Sequence, residues 1–249
     1  MHKKNYQDIL ALVQTPTRYT GNEINSIKKD PDKVDLTFAL VFPDLYEIGT
    51  SHFGLQILYS ILNSQKNIAA ERFFMPAPDM EAYLLEKQIP CLSMESQRQL
   101  KNFDIIGISL LYELNFTNIL AMLSLSKIPF YSREREDAFP LIIGGGPCAF
   151  NPEPLADFFD AFVIGDGEDT AVQISNQVIE FKQQGDGQKK TLLKLLSKID
   201  GVYIPSFFEP IYNAAGIQTL SPVFDDYKTV KRAFLQTLTQ NNFPTSPIL

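Results

Sequence analysis

Two glycine-rich turns are the parts of this sequence best suited to hold a ligand against the polypeptide backbone. Gly-Gly-Gly-Pro at residues 144–147 follows the apolar run 141–143, and Gly-Asp-Gly-Glu at residues 165–168 follows the apolar run 161–164. Short apolar runs bounded by glycine are typical of buried strands. Glycine after two neighbouring strands allows close approach to a ligand, and the second turn precedes a predicted helix whose N-terminus favours negative charge. Turns that need a positive φ explain these glycines equally well.

Nucleotide binding is disfavoured by the residues around these turns. The sequence has no G-x-G-x-x-G motif after its first apolar run and no Walker lysine. The second turn carries the acid Asp166, which would repel a nucleotide phosphate. We therefore do not expect a dinucleotide or ATP site.

Polar side chains at other positions offer hydrogen bonds or proton transfer. Ser109 lies in the apolar run 103–110, where its hydroxyl either donates to a ligand or is satisfied at the strand end. His52 precedes a predicted helix, where a histidine acts as a metal ligand, a general base or a cap, and no second metal-binding side chain stands beside it at ligand spacing. Asp44 and Glu47 form an acid pair in a loop, and their spacing fixes no geometry.

Alternating strands and helices position these residues. Predicted strands cover residues 35–42, 69–75, 103–110, 141–143 and 161–164, and predicted helices cover residues 53–63, 80–87, 115–126 and 170–182. This alternation predicts a doubly wound α/β fold, Rossmann-like or flavodoxin-like, whose five-stranded parallel sheet has helices on both faces. Ligands bind beyond the carboxyl ends of such strands, so the glycine turns, Ser109 and the loop 43–52 are expected at one edge.

Smaller features complete the predicted organisation. Thr50 or Ser51 could cap the helix at residue 53, and residues 151–159 have room for about two helical turns in the crossover. The predicted organisation is an N-terminal arm (1–34), the α/β domain (35–184), a small appendage (185–235) and a linker (236–249). In the appendage, a helix over 192–196 is followed by short strands over 201–205, 207–212 and 217–220, with a hairpin turn at 213–216.

Composition limits the class of protein. The 249 residues are 45% hydrophobic and 20% charged, which is ordinary for a globular chain. No apolar run approaches the roughly 20 residues that span a bilayer, and no secretion signal is evident. We therefore expect a cytoplasmic location without a membrane partner, and free thiols at Cys91 and Cys148. A net charge of −7 does not indicate a nucleic-acid partner.

Three motifs in chain order resemble the cobalamin (B12)-binding domain. That family carries D-x-H-x-x-G after the first strand, S-x-L after the third and a Gly-Gly turn after the fourth. This sequence has Asp44, Tyr46 and Gly49 at the first motif, Ser109 at the second and the turn 144–147 at the third. Tyr46 replaces the histidine that ligates cobalt in the family.

The sequence is more closely similar to cobalamin-binding domains that precede radical S-adenosylmethionine (SAM) domains, in an uncharacterised subfamily. The resemblance to these domains rests on Gly-Gly-Gly-Pro at 144–147, Pro-Glu at 152–153 and the run from Asp160 to the Gly-Asp-Gly-Glu turn. The segments 16–23 and 42–49 are similar to the subfamily. The resemblance covers roughly residues 14–235. The iron–sulfur motif C-x-x-x-C-x-x-C of that family does not follow here, so we expect an N-terminal fragment without its own catalysis.

The resemblance also implies a cofactor site. Cobalamin would lie across the carboxyl edge of the sheet, with its nucleotide tail between the strands and the loop 44–52 beneath the corrin. The lower ligand of cobalt would be water, nothing, Tyr46 or His52. The 4Fe-4S cluster and SAM would belong to the radical SAM domain of the same full-length protein, which is the expected partner. The cofactor-binding residues implied are Asp44, Tyr46, Gly49, His52, Ser109, Leu110, Gly144, Gly145, Gly146, Pro147, Gly165, Gly167 and Glu168.

Two other functions remain open at this point. The domain could have kept the fold, lost the cofactor and become a module that positions a substrate or contacts the radical SAM domain. Apolar side chains such as Phe53 or Tyr112 filling the tail channel would indicate this. A free-standing α/β enzyme would instead use Asp44, Glu47 and His52 as acid and base.

Overall fold

A mostly parallel sheet covered by helices forms the body of the chain. The computed structural model describes residues 2–137, 139–185, 187–237, 239, 243–244 and 246–248. The helices are α1 (His2–Leu10), α2 (Tyr46–Thr50), α3 (Phe53–Ser64), α4 (Pro78–Lys87), α5 (Phe116–Leu125), α6 (Glu168–Gln184) and α7 (Lys189–Leu196). The strands are β1 (Leu36–Phe42), β2 (Ile68–Phe74), β3 (Ile105–Ser109), β4 (Leu141–Gly145), β5 (Ala161–Val163), β6 (Val202–Tyr203), β7 (Phe208–Tyr212) and β8 (Gln218–Pro222). The predicted α/β class is confirmed.

The sheet has the strand order of a doubly wound fold. Within the described residues, six strands pair in the order β2-β1-β3-β4-β5-β6, and the first five are parallel. The order reverses beside β1, which creates the switch point where such folds carry ligands. The sixth strand corrects the sequence analysis, because Val202–Tyr203 was placed with the appendage but pairs antiparallel with β5. A strand of only two residues is too short for its sequence to indicate which sheet it joins.

Alternating side chains of the strands build a core on each face of the sheet. Ile105, Leu141 and Ile143 point towards α3 and α6, whereas Ile106 and Ile142 point towards α5. Both faces of the sheet are therefore buried, which explains why these strands are apolar throughout and do not alternate between apolar and polar residues. The four residues between β5 and α6 (164–167) lie, with the start of α6, at the carboxyl edge of this two-sided core.

Local structure differs from the prediction in the arm and in two loops. The arm contains a helix, α1, whose Tyr6 and Ile9 pack against Met80 and Leu84 of α4. The predicted loop 43–52 contains the short helix α2. No α-helix forms over residues 151–159, where only the 3-10 turn Glu153–Leu155 is found. Proline at 152 and 154 explains this, because each removes a backbone donor that an α-helix needs.

The hairpin β7–β8 confirms the predicted turn at residues 213–216. The strands pair in antiparallel register, and Gly216 has a φ of +76° at the turn. The proposed division into arm, domain, appendage and linker stays a prediction, and the linker 236–249 lies partly outside the described residues. Across the described chain, none of the helices combines the length and the apolar character that crossing a bilayer requires.

Candidate functional site

A groove of about 430 Å³ opens at the carboxyl edge of the sheet. Its floor is formed by β1, β3, β4 and β5, and its walls are the first turns of α3 and α6. Its volume is typical of small-ligand sites. The structure brings nine of the implied cofactor-binding residues to this groove: His52, Ser109, Gly144, Gly145, Gly146, Pro147, Gly165, Gly167 and Glu168.

Small residues in the strand ends create the empty space. Ser109 and Gly145 are opposite one another in the β3–β4 register, and Gly145 is opposite Val163 on β5. Because side chains alternate along a strand, this row faces α3 and α6. A Cβ atom built on Gly145 would approach Val163 Cβ no closer than 3.9 Å, so it would enter open space. The groove is therefore a cradle that a side chain at residue 145 would fill.

Gly144 serves packing on the opposite face of the sheet. A Cβ atom on Gly144 would lie 2.8 Å from side-chain atoms of Leu110 and Phe162. Leu110 is itself buried on that face, outside the groove, and its backbone N–H donates to the Gly145 carbonyl at 2.7 Å. Gly146 has a φ of +121°, and a Cβ there would lie 2.7 Å from the Leu110 carbonyl oxygen. In the first glycine turn, residue 145 faces open space, whereas a side chain at residue 144 or 146 would collide with its neighbours.

The second glycine turn is shaped by the C-terminal part of the chain. Gly165 has a φ of +113°, and a side chain there would collide with the Ala233 carbonyl. Asp166 accepts a hydrogen bond from the backbone N–H of Leu235 at 2.7 Å. The carboxylate of Asp166, which disfavours a nucleotide, therefore binds the backbone of the C-terminal segment at Leu235. Gly167 and Glu168 bring the amino end of α6 to the groove wall.

His52 caps helix α3. Its Nδ1 accepts the backbone N–H of Leu55 at 3.2 Å, so the predicted caps Thr50 and Ser51 are wrong. The ring packs on Phe42 at 5.4 Å, and burial lowers the pKa of the imidazole. An Nδ1 atom that accepts a hydrogen bond leaves the proton of the neutral ring on Nε2. His52 therefore lines the groove with its proton on Nε2, and a metal bond through Nε2 would require that proton to move to Nδ1, where it would break the cap.

Tyr46 and Gly49 lie outside the groove. The hydroxyl of Tyr46 donates to Glu23 Oε1 at 3.2 Å, and its ring packs edge-on against Phe74 at 5.3 Å. A Cβ on Gly49 would lie 2.5 Å from the Phe74 ring, so this glycine permits the close packing of α2 on β2. Both positions secure α2 on the side of the sheet that faces the arm.

Asp44 also lies outside the groove and joins two loops of the same edge. Its Oδ2 accepts hydrogen bonds from the hydroxyl of Tyr112 and from Asn115 Nδ2, and its Oδ1 accepts from the backbone N–H of Leu45. Glu47 pairs with Arg18 at 2.6 Å. Because Asp44, Glu47 and His52 each have other partners, they do not converge as an acid–base set. Among the described residues, no three potential metal ligands cluster.

Apolar residues that the sequence analysis did not assign to the site form much of the groove. Leu40 of β1 and Leu55 and Leu58 of α3 line it, together with Gly107 of β3. Gly107 interrupts a run of isoleucines, and this interruption is the sequence signal that could have indicated the groove. Phe53 and Tyr112, which were expected to fill a disused channel, are not among the lining residues and are 52% and 37% exposed. The groove is open.

Exposed apolar side chains lie on other loops at the same edge of the sheet. Ile48 lies on α2, Tyr112 and Leu114 follow β3, and Phe150 follows β4. Large exposed apolar residues grouped on one side of a domain mark an interaction surface. We call these four residues the apolar rim.

A second, larger cavity of about 820 Å³ lies away from this edge, between the hairpin β7–β8 and the first turns of α7. Glu153 stands in its wall and accepts hydrogen bonds from the Tyr203 hydroxyl at 2.6 Å and from Gln218 Nε2 at 3.1 Å. The walls of this cavity are distant in sequence and carry no shared motif, so no sequence signal predicts it.

The strand order and the open groove define a doubly wound α/β domain with space for a ligand at its carboxyl edge. A family model described as "Radical SAM proteins, N-terminal" matches residues 54–205, more than half of the chain. The chain belongs to this family. The resemblance to radical SAM proteins stated above is thereby confirmed at the level of the family.

Two individual proteins are also similar to this chain. The uncharacterized protein MJ0966 of Methanocaldococcus jannaschii is 24% identical over 150 residues, which cover 59% of this chain and 28% of that protein. The chain thus spans little more than a quarter of that relative. The radical S-adenosylmethionine methyltransferase TsrM from Kitasatospora setae, solved with tryptophan substrate and a SAM analogue, aligns over 75% of this chain and 30% of its own. Its TM-score is 0.40 at 15% identity, which is too low to transfer a ligand.

Proposed function

We propose that this chain is the cobalamin-binding module of a radical SAM protein and that it performs no catalysis by itself. The observation that carries the proposal is the open groove beside Ser109 and Gly145, at the positions of two motifs that resemble the cobalamin-binding domain. The wider membership in the radical SAM N-terminal family supports the same conclusion.

The groove suits the nucleotide tail of cobalamin in shape and polarity. Its floor is apolar at Leu40 and Val163, which favours a flat aromatic base. The half-buried hydroxyl of Ser109 has no hydrogen-bond partner within the described part of the chain and is free to bond the tail. The backbone at Gly145 is bare on the groove side, so a sugar could pass close to it.

The apolar rim suits the corrin ring. A tail bound in the groove leaves the macrocycle outside it, above the loops that carry Ile48, Tyr112, Leu114 and Phe150. Their exposed apolar surface would be covered by the ring, with a gain of about 25 cal/mol per Å² of buried apolar area. When bound, cobalamin would supply a cobalt centre able to carry a methyl group, while the radical SAM domain would supply the 4Fe-4S cluster and SAM.

Neither Tyr46 nor His52, the two side chains implied as lower cobalt ligands, is available for that role. The Tyr46 hydroxyl donates to Glu23 away from the groove, and His52 uses Nδ1 to cap α3. We therefore propose that cobalamin binds with its own base displaced into the groove and without a side-chain ligand from Tyr46 or His52.

The second candidate is an interaction module that has lost the cofactor and positions a substrate or the radical SAM domain. Tyr46 in place of the family's histidine favours it. The open groove favours the first candidate, since a disused channel is expected to refill with side chains.

Reconstitution distinguishes the two candidates. The chain is incubated with hydroxocobalamin, passed through a gel-filtration column and examined for corrin absorbance. Retention by the native chain, and its loss in Ser109→Leu and Gly145→Leu, would support cobalamin binding. Ser124→Leu, an exposed change on α5, is the matched control and should retain the corrin. A native chain that never retains corrin in any cobalt oxidation state would refute the first candidate and leave the interaction module.

A further inference from the structure

Arg232 is held in a fixed place beside Gly165, a residue that lines the groove, by the backbone on both sides of it. The Lys231 carbonyl accepts from Gly201 N–H at 2.7 Å, and Ala233 N–H donates to the Ile164 carbonyl at 2.9 Å. Ala233 also pairs with Gly165 in a parallel bridge at the end of β5. Arg232 therefore has its Cα atom anchored beside the second glycine turn.

The side chain of Arg232 reaches from that turn towards the loop after β4. Its Cγ would lie 2.8 Å from a Cβ atom on Gly165, so the arginine stem passes directly over this glycine. Its guanidinium lies over the ring of Phe150, 5.7 Å from the ring centroid. Gly165 lines the groove, and Phe150 follows the groove-lining turn 144–147 within three residues. The cation thus spans the two glycine turns.

The charge of Arg232 is largely free for a ligand. Its nearest acid is Asp166, at 3.7 Å, and the two side chains are 55% and 34% exposed. An ion pair of that length and exposure contributes little. Among the described residues that line the groove, Glu168 carries the one formal charge, which is negative. An anionic group entering the groove would therefore need a cation at its mouth, and Arg232 provides one.

The geometry points to Arg232 as the residue that recognises the phosphate of a corrinoid's nucleotide tail and so selects complete corrinoids over those without the tail. This inference rests on the proposed cobalamin site. A guanidinium bonds a phosphodiester with two parallel N–H groups, which a single ammonium does not reproduce. Arg232 is consequently a specificity residue, whereas the groove itself receives the base and the sugar.

Equilibrium dialysis with three corrinoids tests the inference: hydroxocobalamin, cobinamide phosphate and cobinamide, which has no phosphate and no nucleotide. Corrin absorbance measures binding to the native chain and to Arg232→Ala, Arg232→Lys and Lys231→Ala. Lys231 pairs with Asp200 on the surface, so Lys231→Ala is a control with the same charge change. Thermal melting of each variant reports whether it is folded.

We expect Arg232→Ala to raise the Kd roughly 10- to 100-fold for hydroxocobalamin and cobinamide phosphate, the usual range for a lost charge-assisted hydrogen bond. Cobinamide binding should be unchanged, Arg232→Lys should lose an intermediate amount, and Lys231→Ala should bind like the native chain. Unchanged affinity for hydroxocobalamin, or an equal loss for all three corrinoids, would overturn the role of Arg232. In both cases the native chain would still bind cobalamin. Failure of the native chain to bind any corrinoid would overturn the proposed function and this inference together.

Discussion

Ser109 and Gly145 are register partners on β3 and β4, and both face the helices α3 and α6. The hydroxyl of Ser109 therefore stands beside a position without any side chain. Gly144, one residue earlier, faces the opposite core, where Leu110 and Phe162 leave no space for a methyl group. Two adjacent glycines thus have different reasons to be glycine.

Gly144→Ala and Gly145→Ala should consequently have opposite effects on stability. We expect Gly144→Ala to lower the free energy of unfolding by about 1–3 kcal/mol, because its methyl group overpacks a filled core. Gly145→Ala should change it little or raise it by up to about 1 kcal/mol, because glycine in a strand interior is entropically unfavourable. Urea denaturation monitored by circular dichroism measures both. A destabilised Gly145→Ala would contradict the open groove.

Tyr46→Phe should weaken the fold without weakening cofactor binding. The change removes the hydrogen bond from the Tyr46 hydroxyl to Glu23, which links α2 to the arm, and should cost about 1 kcal/mol. Hydroxocobalamin affinity should stay within about twofold, a difference of less than 0.5 kcal/mol, because the hydroxyl lies outside the groove. Chemical denaturation and equilibrium dialysis provide the two measurements. A large loss of affinity with unchanged stability would instead assign Tyr46 to the cofactor.

Removing the cap of α3 should destabilise the chain in a pH-dependent manner. His52→Ala deletes the acceptor for Leu55 N–H and should cost about 1 kcal/mol at neutral pH, whereas His52→Asn should retain most of that stability.

The pH dependence follows from the lowered pKa of His52. Burial makes the folded state prefer the neutral imidazole, so the unfolded state binds the proton more readily. The native chain should therefore lose stability as the pH falls from about 6.5, the unfolded pKa, towards the lower folded value. His52→Asn should lack this part of the loss. Melting curves at pH 7.5 and pH 5 compare the two proteins, and identical pH profiles would contradict the lowered pKa of His52.

Arg72 should be essential for the edge of the sheet that carries β2. It is buried, and it pairs through Nε with Glu95 at 2.7 Å and through Nη2 with Glu23 at 3.1 Å. Arg72→Met would leave buried carboxylates unpaired and should cost about 3–5 kcal/mol. Burial raises the pKa of Glu95, so loss of the arginine should promote its protonation.

A second substitution separates charge from packing at this cluster. In the Arg72→Met/Glu95→Gln variant, one of the stranded charges is removed, and part of the lost stability should return. Urea denaturation of both variants measures the difference. If the double variant is no more stable than Arg72→Met, packing of the long arginine side chain accounts for the effect.

Much of the fold could be predicted because its signals are local. The apolar runs at 36–42, 105–109 and 141–145 and the helical periodicity between them lie within one element each. The alternation of these elements then leaves few topologies open. The strand Val202–Tyr203 lies within the predicted strand 201–205, but its place in the main sheet was missed, because its pairing with β5 depends on partners about 40 residues away.

The candidate site was predicted less completely than the fold. Ser109 and the glycine turn 144–147 were found through motif order, and both line the groove. The apolar floor was missed because Leu40 and Leu55 resemble any other core leucine until the empty space beside them is seen. Arg232 was missed because a single surface arginine in an irregular segment carries no sequence signal.

The sequence by itself determined the α/β class, the carboxyl edge at which chemistry would be placed and the glycines at that edge. Each follows from the period of a strand, the period of a helix or the conformational freedom of glycine, all of which act over a few residues. Only the tertiary structure decided which glycine leaves space and which one avoids a collision. It also assigned His52 to a helix cap and Tyr46 to the arm. Those roles depend on atoms that are distant in the chain and meet only when the sheet has formed.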